Sequence, residues 1–373
     1  MDILSRASAR LAKGSVRRAV ELDRVPRVSV VIPCYNYGRY LPQCVESVTS
    51  GQPGIDLEIL IVDDKSTDDS LDVARSISES DSRVRVIAHA QNKGHISTYN
   101  DGLDAATGEF VLLLSADDLV TPGALTRAAE LLAAVPSVGF VYGNAIHFSR
   151  DLPPSRSQGR DWIIWSGVDW LEQRCRTGYN VAASPEVVMR TSVLRAIGGY
   201  RPDLPHAGDF EMWLRASAVA DVGFLIGVDQ AYYRHHTGNM HEKDFKSGTP
   251  HGQFTDLNER WRSFEAVFSG VGCGLEDRPR LLQIARRTMA RRALEHVNYA
   301  YARGLADFPA ARFEALACEI DRDVARTSTG RALARRKRLG MISLPLHPLW
   351  APSAIALRLG LRLRGWRHRR IGV

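Results

Sequence analysis

Between Arg27 and Asp118 the chain alternates between short β-branched runs and segments of helical apolar spacing, and this restricts the fold more than any other feature. "RVSVVIPCYN" reads as a strand that stops at Pro33. "GRYLPQCVESVTSG" follows with Leu41, Val45 and Val48 at helical spacing and Gly51 as a stop. "LEILIVDDKSTDDS" is a second strand, Leu57 to Val62, running into an acidic turn in which Ser66 or Thr67 can cap the next helix. "RVRVIAHA" is a third strand, "HISTYNDGLDAATG" a helix closing on Gly108, and "EFVLLLSADD" a fourth strand. Strands alternating with helices mean βαβ units, hence an α/β fold with a mainly parallel sheet flanked by helices. Near-continuous apolar strands fit a sheet covered on both faces.

In such sheets ligands bind beyond the carboxyl ends of the strands. The polar clusters Tyr35–Asn36, Asp63–Asp64, Asn92–Gly94 and Asp117–Asp118 all fall at those ends. Asp117 and Asp118 pose a particular problem, because adjacent carboxylates repel and burying either is costly without compensation. A positive partner is expected there. Taken singly, each cluster has a plainer reading: turn chemistry for Asp63–Asp64, a cap on the helix begun by "TPGAL" for Asp117–Asp118.

Farther on, "VGFVYGNAIHF" is another strand and Pro153 to Gly159 a surface loop, followed by Trp162, Trp165 and Trp170, read as core or sugar-stacking residues. "SPEVVMRTSVLRAIGGY" contains a strand, a short helix and a Gly-Gly turn, and a further helix starts near Asp209. From about Pro250 to Arg338 the pattern is helical and rich in Arg and Ala. The net charge of +7 is local: residues 331–373 hold eleven Lys and Arg and no Asp or Glu, leaving −4 on the rest. That distribution points to an anionic surface and argues against nucleic acid. Five cysteines without CxxC spacing fit a reducing cytoplasm. The first 26 residues read as a leader with amphipathic helical spacing and no secretory signal. Residues 339–357 lack charge, but Pro345, Pro348 and Pro352 oppose a spanning helix; alternating Leu and Arg around Trp366 suit peripheral binding to a membrane's inner face.

No GxGxxG fingerprint or P-loop is present. What is present, in order, is "VVIPCYNYGRYLPQCVESV", "ILIVDDKSTDDS", "NKGHISTYNDGLDAATGEFVLLLSADD", "GGYRPDLPHAGDFEMWLR" and "YYRHHTGN". Over roughly residues 27–240 this series resembles the successive signatures of inverting family 2 glycosyltransferases with the Rossmann-like GT-A fold. The resemblance implies a domain over 27–245, with a donor half 27–120 and an acceptor half 121–245, then a helical extension 246–338 and a basic tail 339–373. It implies that Pro33, Tyr35, Asp64, Lys93, Ser115 and Ala116 surround the nucleotide. Asp117 would hold Mg2+ or Mn2+ against the donor diphosphate, with His236 nearby, and Asp209 would be the catalytic base. The reaction implied is hexosyl transfer from a UDP- or dTDP-sugar to a glycan or polyprenyl-linked acceptor, of use in cell-wall or polysaccharide synthesis.

Three positions depart from the family pattern. Ser115 stands for the first Asp of the DxD motif, Tyr99 for a frequent Arg, and Gly208 for the Glu of an "ED" pair. On residues alone Asp209 also reads as a helix N-cap with Glu211 adding first-turn charge. Two other functions remain open: a non-catalytic nucleotide-sugar-binding subunit, and a nucleotidyltransferase, although "PCYNYGRY" lacks the GxGTR-type loop of the latter.

Overall fold

The computed structural model describes residues 13–159, 161–240, 248–340, 359, 362–363 and 365–373. The chain divides into two compact units. One comprises residues 1–170, 180–236 and 369–373; the other comprises 171–179 and 237–368.

The first unit is built on one mixed sheet of strands β1 (Ser15–Arg18), β2 (Arg27–Cys34), β3 (Asp56–Asp63), β4 (Val84–Ala88), β5 (Phe110–Leu113), β6 (Leu119–Val120), β7 (Val138–Phe148), β8 (Asp161–Trp165), β9 (Val187–Arg190) and β10 (Asp221–Arg234). Their spatial order is β1-β8-β10-β7-β9-β5-β2-β3-β4, with β6 paired to β10. The block β5-β2-β3-β4 is parallel throughout, as the alternation requires. β7 and β10 are also parallel to each other. β9 joins the two blocks by pairing antiparallel to both β5 and β7.

The apolar runs are buried as expected: Val28, Val30, Val31 and Ile32 of β2 and Ile59 to Val62 of β3 expose no surface. Helices α1 (Leu41–Thr49), α2 (Ser70–Ser80), α3 (His95–Ala105), α4 (Ala124–Ala134), α5 (Gly167–Thr177), α6 (Thr191–Ile197) and α7 (Gly208–Val219) follow the strands. Leu41, Cys44, Val45 and Val48 form the buried face of α1, and Gly51 beyond its end adopts φ 71°, which glycine reaches without steric cost. Trp162, Trp165 and Trp170 are all core residues.

Three local expectations are corrected. Ser66 and Thr67 do not cap α2: Asp68 Oδ1 accepts from Ser70 N at 3.0 Å, while Ser66 Oγ and Thr67 N bond to Asn36. Their polar groups tie two loops together and are not free for a helix end. α3 stops at Ala105 and not at Gly108; Gly108 is required by close approach, since a Cβ there would lie 2.7 Å from Ser29 N. The leader contributes a strand where a helix was expected, for Ser15 to Arg18 pair antiparallel with β8; residues 1–12 lie outside the described residues.

The second unit is helical, as the Arg/Ala-rich pattern predicts: α8 (Pro250–Ser269), α9 (Arg278–Arg303), α10 (Ala310–Ile320) and α11 (Ser328–Leu339). Thr249 and Thr327 cap α8 and α11 by accepting from Gly252 N and Gly330 N, each at 3.2 Å. Phe313 is fully buried between Phe254, Phe308 and His296. Burial holds His296 down to about 4, so the ring is neutral and acts as a core residue.

The proline-bearing apolar segment falls almost wholly on 341–358, outside the described residues. Among the described residues no helix is long and apolar enough to cross a membrane. The extreme C-terminus is buried in the first unit: Ile371 exposes nothing, and Tyr142 Oη donates to Gly372 O.

Candidate active site

Pro33 is the penultimate residue of β2, and the loop beyond turns at Asn36, whose φ of 59° is a left-handed conformation that Asn tolerates. Asn36 then binds the β3–α2 loop twice, donating N–H to Ser66 Oγ at 3.0 Å and accepting Thr67 N at 2.8 Å. Asp64, just past β3, links a third loop. Its carboxylate accepts from Lys93 N at 2.7 Å and Gly94 N at 2.9 Å and meets His89 Nδ1 at 2.8 Å. Lys93 sends its ammonium back to Asp101 at 2.6 Å, and that ammonium holds the Asp101 carboxyl below its usual value. Thus three strand ends form one connected rim, from which Tyr35 projects, 45% exposed.

β5 leads into the second cluster. Leu114 N still bonds Val31 O, and a turn closed by Asp118 N to Ser115 O presents both acids. Arg234, at the end of β10, meets them with backbone and side chain. Its N–H donates to Asp118 Oδ1 at 2.9 Å, its Nε to Asp117 O at 2.8 Å and its Nη2 to Gln43 Oε1 at 2.6 Å. The guanidinium also stacks on Tyr40 and Phe148. Asp118 is thereby bound into the turn by the Arg234 amide. Burial, then the charge of Asp117, pushes its carboxyl well above the usual range.

Asp117 Oδ2 faces outward to His236 Nε2 at 2.9 Å, and the rings of Tyr37 and Tyr40 flank that imidazole. The spacing suits a cation: an octahedral ion about 2.1 Å from each ligand keeps neighbouring donor atoms about 3 Å apart. Among the described residues no cluster of three or more His, Cys, Asp or Glu is arranged to hold a metal. An ion here needs further donors from a ligand.

Asp209 forms the third cluster. It lies in the first turn of α7, yet it does not cap that helix, so the plain N-cap reading fails. Its Oδ1 accepts from Tyr200 Oη at 2.9 Å and its Oδ2 from Ser184 N at 3.2 Å. Burial raises its pKa and the two donors oppose that rise. Glu211 serves a different purpose: it pairs with Arg215 at 2.7 Å, and Arg215 donates to the carbonyls of Ile197, Gly198 and Gly199. That fixes the Gly-Gly turn and with it the phenol aimed at Asp209. Tyr99 on α3 connects the clusters. Its ring lies edge-on to Tyr200 at 5.4 Å, and burial followed by the charges of Asp209 and Asp117 pushes its phenol up.

Comparisons with known proteins bear on the family and the fold. The family model "Glycosyl transferase family 2" matches residues 29–196. Residues 29–196 belong to glycosyl transferase family 2. An uncharacterized glycosyltransferase of Nostoc sp. is 41% identical over 117 residues, covering 31% of this chain and 36% of that one. Chondroitin synthase of Escherichia coli is 30% identical over 198 residues, 53% of this chain and 27% of the relative. The chain thus spans about a third of the length of these curated relatives. A mannosyltransferase from Pyrobaculum calidifontis, solved with GDP-Man and Mn2+, shares the fold at TM-score 0.51 and 19% identity, covering 90% of this chain and 91% of that one.

The family 2 match stops at residue 196, so Asp209, Arg234 and His236 lie beyond it. Sequence reasoning placed Asp64, Asp117 and Asp209 at element ends, where the structure also has them; His236, drawn from the resemblance, follows the end of β10. The same reasoning missed Tyr200, His89 and the scaffold role of Arg234. Tyr200 carried a signal, since it follows a Gly-Gly turn nine residues before Asp209. His89 and Arg234 carried none, because their partners are distant in sequence.

Proposed function

We propose that this family 2 domain transfers a glycosyl group from a nucleoside diphosphate sugar to an acceptor hydroxyl, with inversion. The observation that supports this best is Asp209: a buried carboxylate with elevated proton affinity, oriented by a phenol and an amide, beside Tyr99, whose phenol feels the charges of both Asp209 and Asp117. Elevated affinity suits a general base that must accept a proton from an alcohol while still ionised at neutral pH. The rim of Pro33, Tyr35, Asp64, Lys93, Ser115 and Ala116 is where the nucleoside would lie.

Asp117 and His236 would hold a divalent cation together with donor phosphate oxygens. When bound, that ion supplies charge stabilisation for the departing diphosphate. A donor set combining carboxylate and imidazole suits Mn2+ at least as well as Mg2+. Asp209 takes the acceptor proton on the face opposite the leaving group, so the acceptor oxygen replaces the diphosphate in one displacement.

The direct test screens UDP-, dTDP- and GDP-sugars by thermal shift, with Mn2+ or Mg2+, then measures transfer by the native protein and Asp209→Asn. Loss of about 10³-fold in kcat is expected, with donor binding and melting temperature retained. Full turnover in the variant would remove Asp209 from this role.

A further inference from the structure

Glu186 is a buried acid that the reaction above does not use. It ends the short 3-10 turn Ser184–Glu186 immediately before β9 and is 5% exposed. Its Oε1 accepts from Ala183 N at 2.8 Å. The next amide, Ser184 N, donates to Asp209 Oδ2 at 3.2 Å. Two carboxyl groups 23 positions apart in sequence therefore hang from consecutive amides of one turn. We propose that Glu186 and Asp209 act as a single two-carboxyl unit in which Glu186 is the positioning residue for the base. This rests on the reading of Asp209 as the base.

Burial raises both acids, and each is met by two donors that oppose the rise. Glu186 Oε2 is buried without a hydrogen bond of ordinary geometry, although the amides of Ala183 and Ala145 both act to favour its charged form. Burial, with Asp209 adding a like charge, pushes Glu186 up to about 8. Asp209 receives two donors, and both favour its charged form. At neutral pH Glu186 thus retains its proton. A neutral Glu186 fixes the 183–184 turn without adding a second charge beside Asp209. An ionised Glu186 would put repulsion across the same turn.

Other elements packed against the turn leave this pairing intact. β5 and β6 carry no titratable side chain. On β10, Asp229 is paired with Arg156 and Arg234 with Asp118; Tyr232 bonds Pro153 O and Tyr233 contacts His147 and His235. On β7, the Ala145 amide favours ionised Glu186, Tyr142 bonds Gly372 O and His147 meets His235. On α7, Glu211 is paired with Arg215.

The test compares the full-length protein with Glu186→Gln and Glu186→Ala, recording kcat from pH 5 to 9 and melting temperature over the same range. Native kcat is expected to fall as Glu186 ionises near its pKa of about 8. Glu186→Gln, neutral at every pH, should keep kcat at pH 7 and lose that alkaline limb. Glu186→Ala should lose about tenfold in kcat, with donor KM unchanged.

Melting temperature reads the proton without any activity. Native Glu186 has a raised pKa in the folded state, so its burial costs stability progressively from its ordinary 4.5 up to about 8. The advantage of Glu186→Gln over the native protein should therefore grow across that window. A flat difference overturns the proposal, and so do coincident pH–rate profiles for native and Gln proteins. If no nucleotide sugar is turned over while the melting difference still grows, the transferase reading falls and Glu186 remains a neutral buried acid.

Discussion

Asp117 with Asp118, and Glu186 with Asp209, are two pairs of largely buried acids at the same end of one sheet, and they are held in different ways. The first pair is adjacent in sequence and is met by Arg234, which brings an amide, a guanidinium and two aromatic contacts, and by the imidazole of His236. The second pair is assembled from two elements, and the groups bonded to it are amides and a phenol. Cationic surroundings suit a site that must gather negative phosphate. A site lined by neutral donors retains the proton affinity needed to take a proton. Like charges crowded together need a counter-cation or a retained proton; Arg234 stands at the first cluster, and burial raises an acid at both.

Several substitutions would break or sharpen that contrast. The largest effect is expected from Arg234→Ala, which leaves Asp118 buried without its guanidinium neighbour and deprives Gln43 and the Asp117 carbonyl of donors. Destabilisation of about 3 kcal/mol is expected in denaturant melts; a loss below a tenth of that would mean the cation is dispensable.

Tyr200→Phe should act on the other pair with little global effect, about 1 kcal/mol. It removes a donor that favours ionised Asp209, so the carboxyl rises further. Because the base works ionised, the acid limb of the pH–rate profile should move to higher pH; an unmoved limb would detach Tyr200 from Asp209. The smallest effect is expected from Lys93→Met. Its ion pair with Asp101 is substantially exposed on both sides, 42% and 38%, and such pairs contribute about 0.5 kcal/mol or less. Stability should barely change. A loss of donor affinity in calorimetry, with folding intact, would assign Lys93 to the nucleotide.

Much of the donor side was legible because it is local. β2, β3 and β5 are short apolar runs, and the polar residues that end them must project at the sheet's carboxyl edge once the strands are parallel. The pairs Asp63–Asp64 and Asp117–Asp118 came from that rule, and the choice of Asp64 and Asp117 within them came from resemblance. The base side was less legible. Asp209 came from resemblance, and its residue pattern equally suited a helix cap until the structure sent its carboxylate to Ser184 N and Tyr200 Oη. Ser66 and Thr67 show the converse: their composition announced a cap, but a neighbouring loop claimed their polar groups.

Sequence by itself determined the α/β class, the parallel β5-β2-β3-β4 block, the helical region after Pro250 and the acids at the strand ends, because each follows from hydrophobic period and chain punctuation. Tertiary structure alone decided that the cation beside Asp118 is Arg234, 116 residues away, and that Glu186 shares a turn with the contacts of Asp209. Charge compensation acts across space, and no local pattern says which distant side chain will supply it.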